Sequence, residues 1–105
     1  MPKTQLYPEW IRANVEVKTA DFAAKHGFVY LVDNSSGAVD MDLPAPKIDN
    51  VIVIKHTGSE DLDTNAITIT PPGGINIDGV AGAYTMESNL QSLTFASDGS
   101  NWFII

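Results

Sequence analysis

An all-β fold is what this 105-residue sequence predicts, and three observations predict it. β-Branched and aromatic residues recur in short runs, such as Val51 to Ile54 and Ile67 to Thr70. Several runs alternate apolar with polar side chains, and clusters of Gly, Pro, Asn and Asp separate them at short intervals. With no long helical pattern between them, such runs point to an antiparallel β-sandwich or barrel of about eight short strands behind a non-strand N-terminal arm. The expected division is an arm over residues 1–13 and one β domain over residues 14–105.

The arm places Pro2 and Pro8 around Leu6, Tyr7, Trp10 and Ile11, followed by Arg12, without strand alternation. Pro8 suits the first turn of a short helix, but a helix of that length is not stable alone, so the four large apolar groups need a surface to lie on. Val15 and Val17 then alternate with Glu16 and Lys18, as in a strand with one wet face. Thr19 to Lys25 reads as a helical turn, capped by Thr19 or Asp21 and ended by Gly27. Phe28 to Asp33 reads as a buried strand, and Asn34-Ser35-Ser36-Gly37 turns into Ala38 to Leu43. In that strand Val39, Met41 and Leu43 form a core face, and Asp40 and Asp42 an acidic one.

Val51 to His56 is the most apolar run and is expected at the centre of a sheet. Ile67 and Ile69 alternate with Thr68 and Thr70 until Pro71-Pro72-Gly73-Gly74 ends the strand. Short pieces follow at Ile75 to Ile77 and Ala83 to Glu87. Last come Leu93 and Phe95, a polar turn over residues 97–101, and Trp102-Phe103-Ile104-Ile105, which together give a hairpin signal. Phe95, Trp102, Phe103, Ile104 and Ile105 are the candidates for core packing or for a contact between copies.

Composition narrows the function classes. The formal charge is −7 and there is no cysteine, which removes disulfides, thiolate metal sites and cysteine nucleophiles. Residues 1–30 carry four cations against three acids, whereas residues 31–105 carry two against ten. A nucleic-acid partner is not expected, since it demands clustered Lys and Arg. A membrane partner is not expected either: no basic leader precedes an apolar core, and the longest apolar run is far too short to span a bilayer. A soluble, unexported protein is the reading.

Four constellations are candidates for chemistry. The loop of Glu60, Asp61, Asp63 and Asn65 lacks the ligand order and glycine of a calcium-binding loop. Asp40 and Asp42 stand about 7 Å apart on one strand face, at glycosidase spacing, but nothing marks a cleft around them. His26 and His56 lack any triad partner and read as surface or strand-end residues. Tyr30, Tyr84 and Trp102 would stack against a sugar if exposed, and otherwise fill the core. No catalytic, cofactor or metal residue is assigned, and enzymatic activity is not expected.

Three segments carry a resemblance: GFVYLVDNSSGAVDMDLPAP, VIVIKHTGSEDLDTNAITITPPGGINIDGVAGAY and LQSLTFASDGSNWFII. In order and spacing, over residues 27–105, they resemble a β-module of tailed-bacteriophage virion proteins found in tail fibres, tail tips and small head-decoration or head-fibre proteins. The resemblance implies a structural or adhesive role, usually as a homotrimer, with no catalytic residues to carry across. One module behind a short leader leaves no room for a fibre shaft, which favours a capsid decoration (cement) protein on the outer surface of the virion head. Its partner would be the major capsid protein, met through Leu6, Tyr7, Trp10, Ile11 and Arg12. The alternative is a tail-fibre, tail-tip or head-fibre adhesin module that binds host-surface carbohydrate.

Overall fold

The computed structural model describes residues 14–105, which form eleven short strands and no helix. They are β1 (Val15–Lys18), β2 (Phe22–Ala23), β3 (Val29–Val32), β4 (Val39–Asp42), β5 (Val51–His56), β6 (Ile67–Thr70), β7 (Asn76–Ile77), β8 (Val80–Ala81), β9 (Tyr84–Thr85), β10 (Ser92–Ser97) and β11 (Trp102–Ile104). A seven-stranded sheet runs β1-β3-β5-β10-β11-β7-β8, and a four-stranded sheet runs β2-β4-β6-β9. The two enclose one core, so the all-β sandwich expectation holds, whereas the antiparallel one holds only for part of the pairing.

Odd strands β1, β3 and β5 pair in parallel in the larger sheet, and even strands β2, β4 and β6 pair in parallel in the smaller. The chain therefore winds from sheet to sheet for three turns. Parallel neighbours need a long crossover, and here each crossover is a strand of the opposite sheet instead of a helix. Antiparallel strands then close the winding, with β9 on β6 and the β10–β11 hairpin on β5. β5 lies between β3 and β10, as its apolar sequence predicts.

Residues 19–25 are not a helical turn. Phe22 is drawn between the sheets, its ring 4.6 Å from that of Tyr30, and the Asp21 carboxylate accepts the amide of Asp40 instead of capping its own segment. Alternating positions of β3, β4, β5, β6 and β10 supply the core: Tyr30, Val32, Val39, Met41, Ile52, Ile54, Ile67, Ile69, Leu93 and Phe95, with Trp102 from β11. Trp102 is fully buried, and its indole N–H donates to Pro44 O at 3.0 Å. No described buried side-chain nitrogen or oxygen lacks a partner.

β1 departs from its sequence reading. Its register sets Glu16 beside Tyr30 and Lys18 beside Val32, so the charged residues take the inward side and the valines the outward one. Lys18 covers the end of the core, its ammonium 5.4 Å from the Phe22 ring centroid and 3.0 Å from the Glu16 carboxylate. A long alkyl stem with a wet head allows this placement.

Candidate functional site

The two outer faces of the sandwich differ in chemistry, and the difference follows from register. On the smaller sheet, Asp40 pairs with Thr68 and Thr68 with Thr85, while Ala23 pairs with Asp42 and Asp42 with Thr70. That face is acidic and hydroxylated. Thr70 Oγ1 donates to Asp40 Oδ1 at 2.6 Å. Partial burial, with neighbouring Asp42 adding to it, nevertheless holds the Asp40 carboxyl above its usual range.

On the larger sheet one cross-strand row runs Val15, Val29, Val53, Thr94 and Ile105. A second runs Val17, Leu31, Lys55 and Ser92, and a third Val51, Ala96 and Phe103. Val15, Val17, Phe103 and Ile105 are 52%, 64%, 37% and 77% exposed, and Val29, Leu31, Val51 and Val53 are half-buried. Lys55 is the sole charge in these rows, and its ammonium donates to Leu90 O. Apolar side chains thus recur across this face from β1 to Ile105, interrupted by Lys55, Ser92 and Thr94, and no side-chain carboxylate lies in the three rows.

The C-terminal candidates divide between the core and the outer face. Phe95 and Trp102 are fully buried core, Ile104 packs against the core, and Phe103 and Ile105 stand on the outer face. The turn between their strands is built by Asp98, whose Oδ1 accepts the amides of Ser100 at 2.8 Å and Asn101 at 2.9 Å. Those two donors hold its carboxyl below the usual range. Asn101 Oδ1 in turn accepts the amide of Asn76 and ties the turn to β7. The arm candidates Leu6, Tyr7, Trp10, Ile11 and Arg12 lie outside the described residues.

Among the described residues no group of three His, Asp or Glu side chains could hold a metal ion. In the loop after β5, Asp61 O accepts the amides of Thr64 and Asn65, and its carboxylate accepts the side-chain amide of Asn89. Nor do the three aromatics make a sugar platform. Tyr30 is buried in a cluster with Phe22 and Phe28, Trp102 is core, and only Tyr84 is partly exposed.

The histidines take the two kinds of place read for them, His26 at the surface and His56 at the end of β5. His26 is exposed and accepts the amide of Val51, but His56 is completely buried. Leu90 N–H donates to His56 Nδ1 at 2.9 Å, which leaves the ring proton on Nε2, facing Glu60 O at 2.8 Å and Asn34 Oδ1 at 3.2 Å. Asn34 and Asn65 exchange side-chain amide bonds with each other's carbonyls, at 2.7 and 2.8 Å. The cluster pins the loops around residues 57–65 and 86–91 to the core and faces no cleft. Its role is structural.

No family model matches this sequence, and no curated protein does. What the described residues present is an apolar sheet face and an acidic face opposite.

Proposed function

We propose that this chain is a structural protein of a tailed-phage virion, a decoration protein that docks on the major capsid protein through residues 1–13 and stabilises the assembled head. The observation that carries the reading is a division of labour along the chain. Among the described residues the buried core cluster runs from Ala24 to Trp102, and in the sequence Leu6, Tyr7, Trp10 and Ile11 precede it beside a slight positive charge and ahead of a strongly acidic body. The ordered resemblance over residues 27–105 supports the same class, and that class calls for no catalytic group.

The mechanism is linkage. A protein that binds the assembled shell, and not its dissociated subunits, stabilises the shell by mass action. Assembly as a homotrimer raises the effect by avidity when three arms reach three sites at once. Deleting Met1 to Ala13 is expected to abolish binding to capsid shells in a co-sedimentation assay while leaving the β circular-dichroism spectrum unchanged. A truncated protein that still co-sediments refutes the docking role of the arm.

A further inference from the structure

We infer that the outer face of the seven-stranded sheet, across β1, β3, β5, β10 and β11, is the surface through which copies of this chain associate. It deepens the multi-copy reading above by naming the surface, and rests on that reading only for the number of copies.

The first support is the contrast between faces. Two sheets of one sandwich share a core and a solvent, yet one outer face carries Asp40, Asp42, Thr68, Thr70 and Thr85, and the other carries valines, Leu31, Phe103 and Ile105. A face meant for water has no need of β-branched aliphatics in every row, and clustered exposed apolar groups mark interaction sites where single ones do not.

Charge selects the occupant. The body of the chain is acidic, so two copies meeting through most of their surfaces bring carboxylates together. The larger sheet's outer rows contain no side-chain carboxylate, and Lys55, on β5 among them, is engaged by Leu90 O. This is where two acidic molecules meet with the fewest side-chain carboxylates facing each other, and the apolar face of a second copy is the surface that complements it.

Size agrees with that occupant. Five strands at about 4.8 Å spacing and about five residues at roughly 3.3 Å rise project to about 400 Å². Side-chain relief makes the accessible area larger, and a standard interface takes about 800 Å² per partner. The face thus supplies most of the apolar centre of an interface, with Thr94 inside it and Ser92 and Asn76 towards the polar rim found in such contacts.

The test is sedimentation velocity on the full chain at roughly 100 µM, with no capsid present, so that its outcome is independent of docking. The wild type is expected at a multiple of the 11.3 kDa chain mass. Val17→Asp and Ile105→Asp, both at exposed positions, are expected to sediment as monomers with unchanged circular dichroism. Val80→Asp is the control: it is 66% exposed but paired with buried Ile77, on the other side of the sheet, and is expected to stay associated. An associated wild type that survives both face variants overturns the surface and leaves the multi-copy reading standing. A monomeric wild type overturns both, including the case in which residues 1–13 of the same chain cover the face.

Discussion

Replacing His56 with leucine tests whether the buried polar cluster holds the loop end of the sandwich. The substitution keeps an apolar group of similar bulk but removes both ring nitrogens. Three partners lose a bond: the Leu90 amide, the Glu60 carbonyl and the Asn34 side-chain oxygen. A buried polar group left unpaired costs about 1–3 kcal/mol. Leu90 is 55% exposed and Glu60 is not fully buried, so their freed groups recover water in part. Asn34 is completely buried and does not. The expected loss is therefore about 2–4 kcal/mol, a large share of the roughly 5–15 kcal/mol typical of a domain. Urea unfolding should show a lower midpoint at unchanged m, with Tm reduced by about 10–25 °C. Amide exchange at Leu90 should rise by more than at core β5. His26→Leu is the companion: it removes one bond, to the Val51 amide at an exposed position, and should cost under about 1 kcal/mol. Equal losses for the two variants, or a His56→Leu loss below about 1 kcal/mol, would refute the assignment.

Trp102→Phe removes the donor to Pro44 O and part of a fully buried ring, so urea unfolding should register a loss of about 2–4 kcal/mol. Gly58→Ala should destabilise by about 1–2 kcal/mol, because Gly58 sits at φ +85° and an added Cβ meets Leu90 Cδ2 at 2.8 Å. Asp98 is held below its unfolded value, so its contribution is present above about pH 4 and is lost as pH falls through the folded value. Asp98→Asn keeps an acceptor for the turn and should flatten that acid limb in pH-dependent thermal melts. Asp40 carries the opposite sign: its raised folded value makes its ionised form a liability at neutral pH that disappears on acidification. Asp40→Asn should therefore stabilise more at pH 7 than at pH 3, as read by the same melts.

Where neighbours along the chain decide the structure, the sequence is legible. Val39, Met41 and Leu43 alternate with acids and end in the core, Ile67 and Ile69 do the same, and Trp102 and Phe103 split inward and outward at the terminal hairpin. Where distant partners decide it, the sequence is silent. β2 is two residues long, too short to carry a period, and exists because the crossover through β3 of the opposite sheet brings β4 beside it. Turn clusters between strands look alike whether the chain reverses within a sheet or crosses to the other, so the parallel winding leaves no local mark. His56 is buried because Asn34 and Leu90, 22 and 34 residues away, converge on its ring. The apolar rows of the larger sheet are scattered over β1, β3, β5, β10 and β11, and only register assembles them into a face.

β1 is where the fold and that face bear on each other. A strand with one wet side ordinarily turns its valines inward, and sliding β1 by one residue would do so. Two ladder-end bonds oppose the slip, from the Val29 amide to Asn14 O at 2.8 Å and from the Asp33 amide to Lys18 O at 2.9 Å. Lys18 over the Phe22 and Tyr30 rings opposes it as well. The register that results leaves Val15 and Val17 more than half exposed, although burying a valine fully is worth about 1.5 kcal/mol or more. In an isolated molecule that burial is forgone at the edge of a sheet whose next strands already present Val29, Leu31 and Val53. When a second copy lies on the face, the same register adds two valines to one margin of the contact and keeps Glu16 and Lys18 out of it. The orientation of β1 that an isolated chain has least reason to adopt is the one an associating sheet requires.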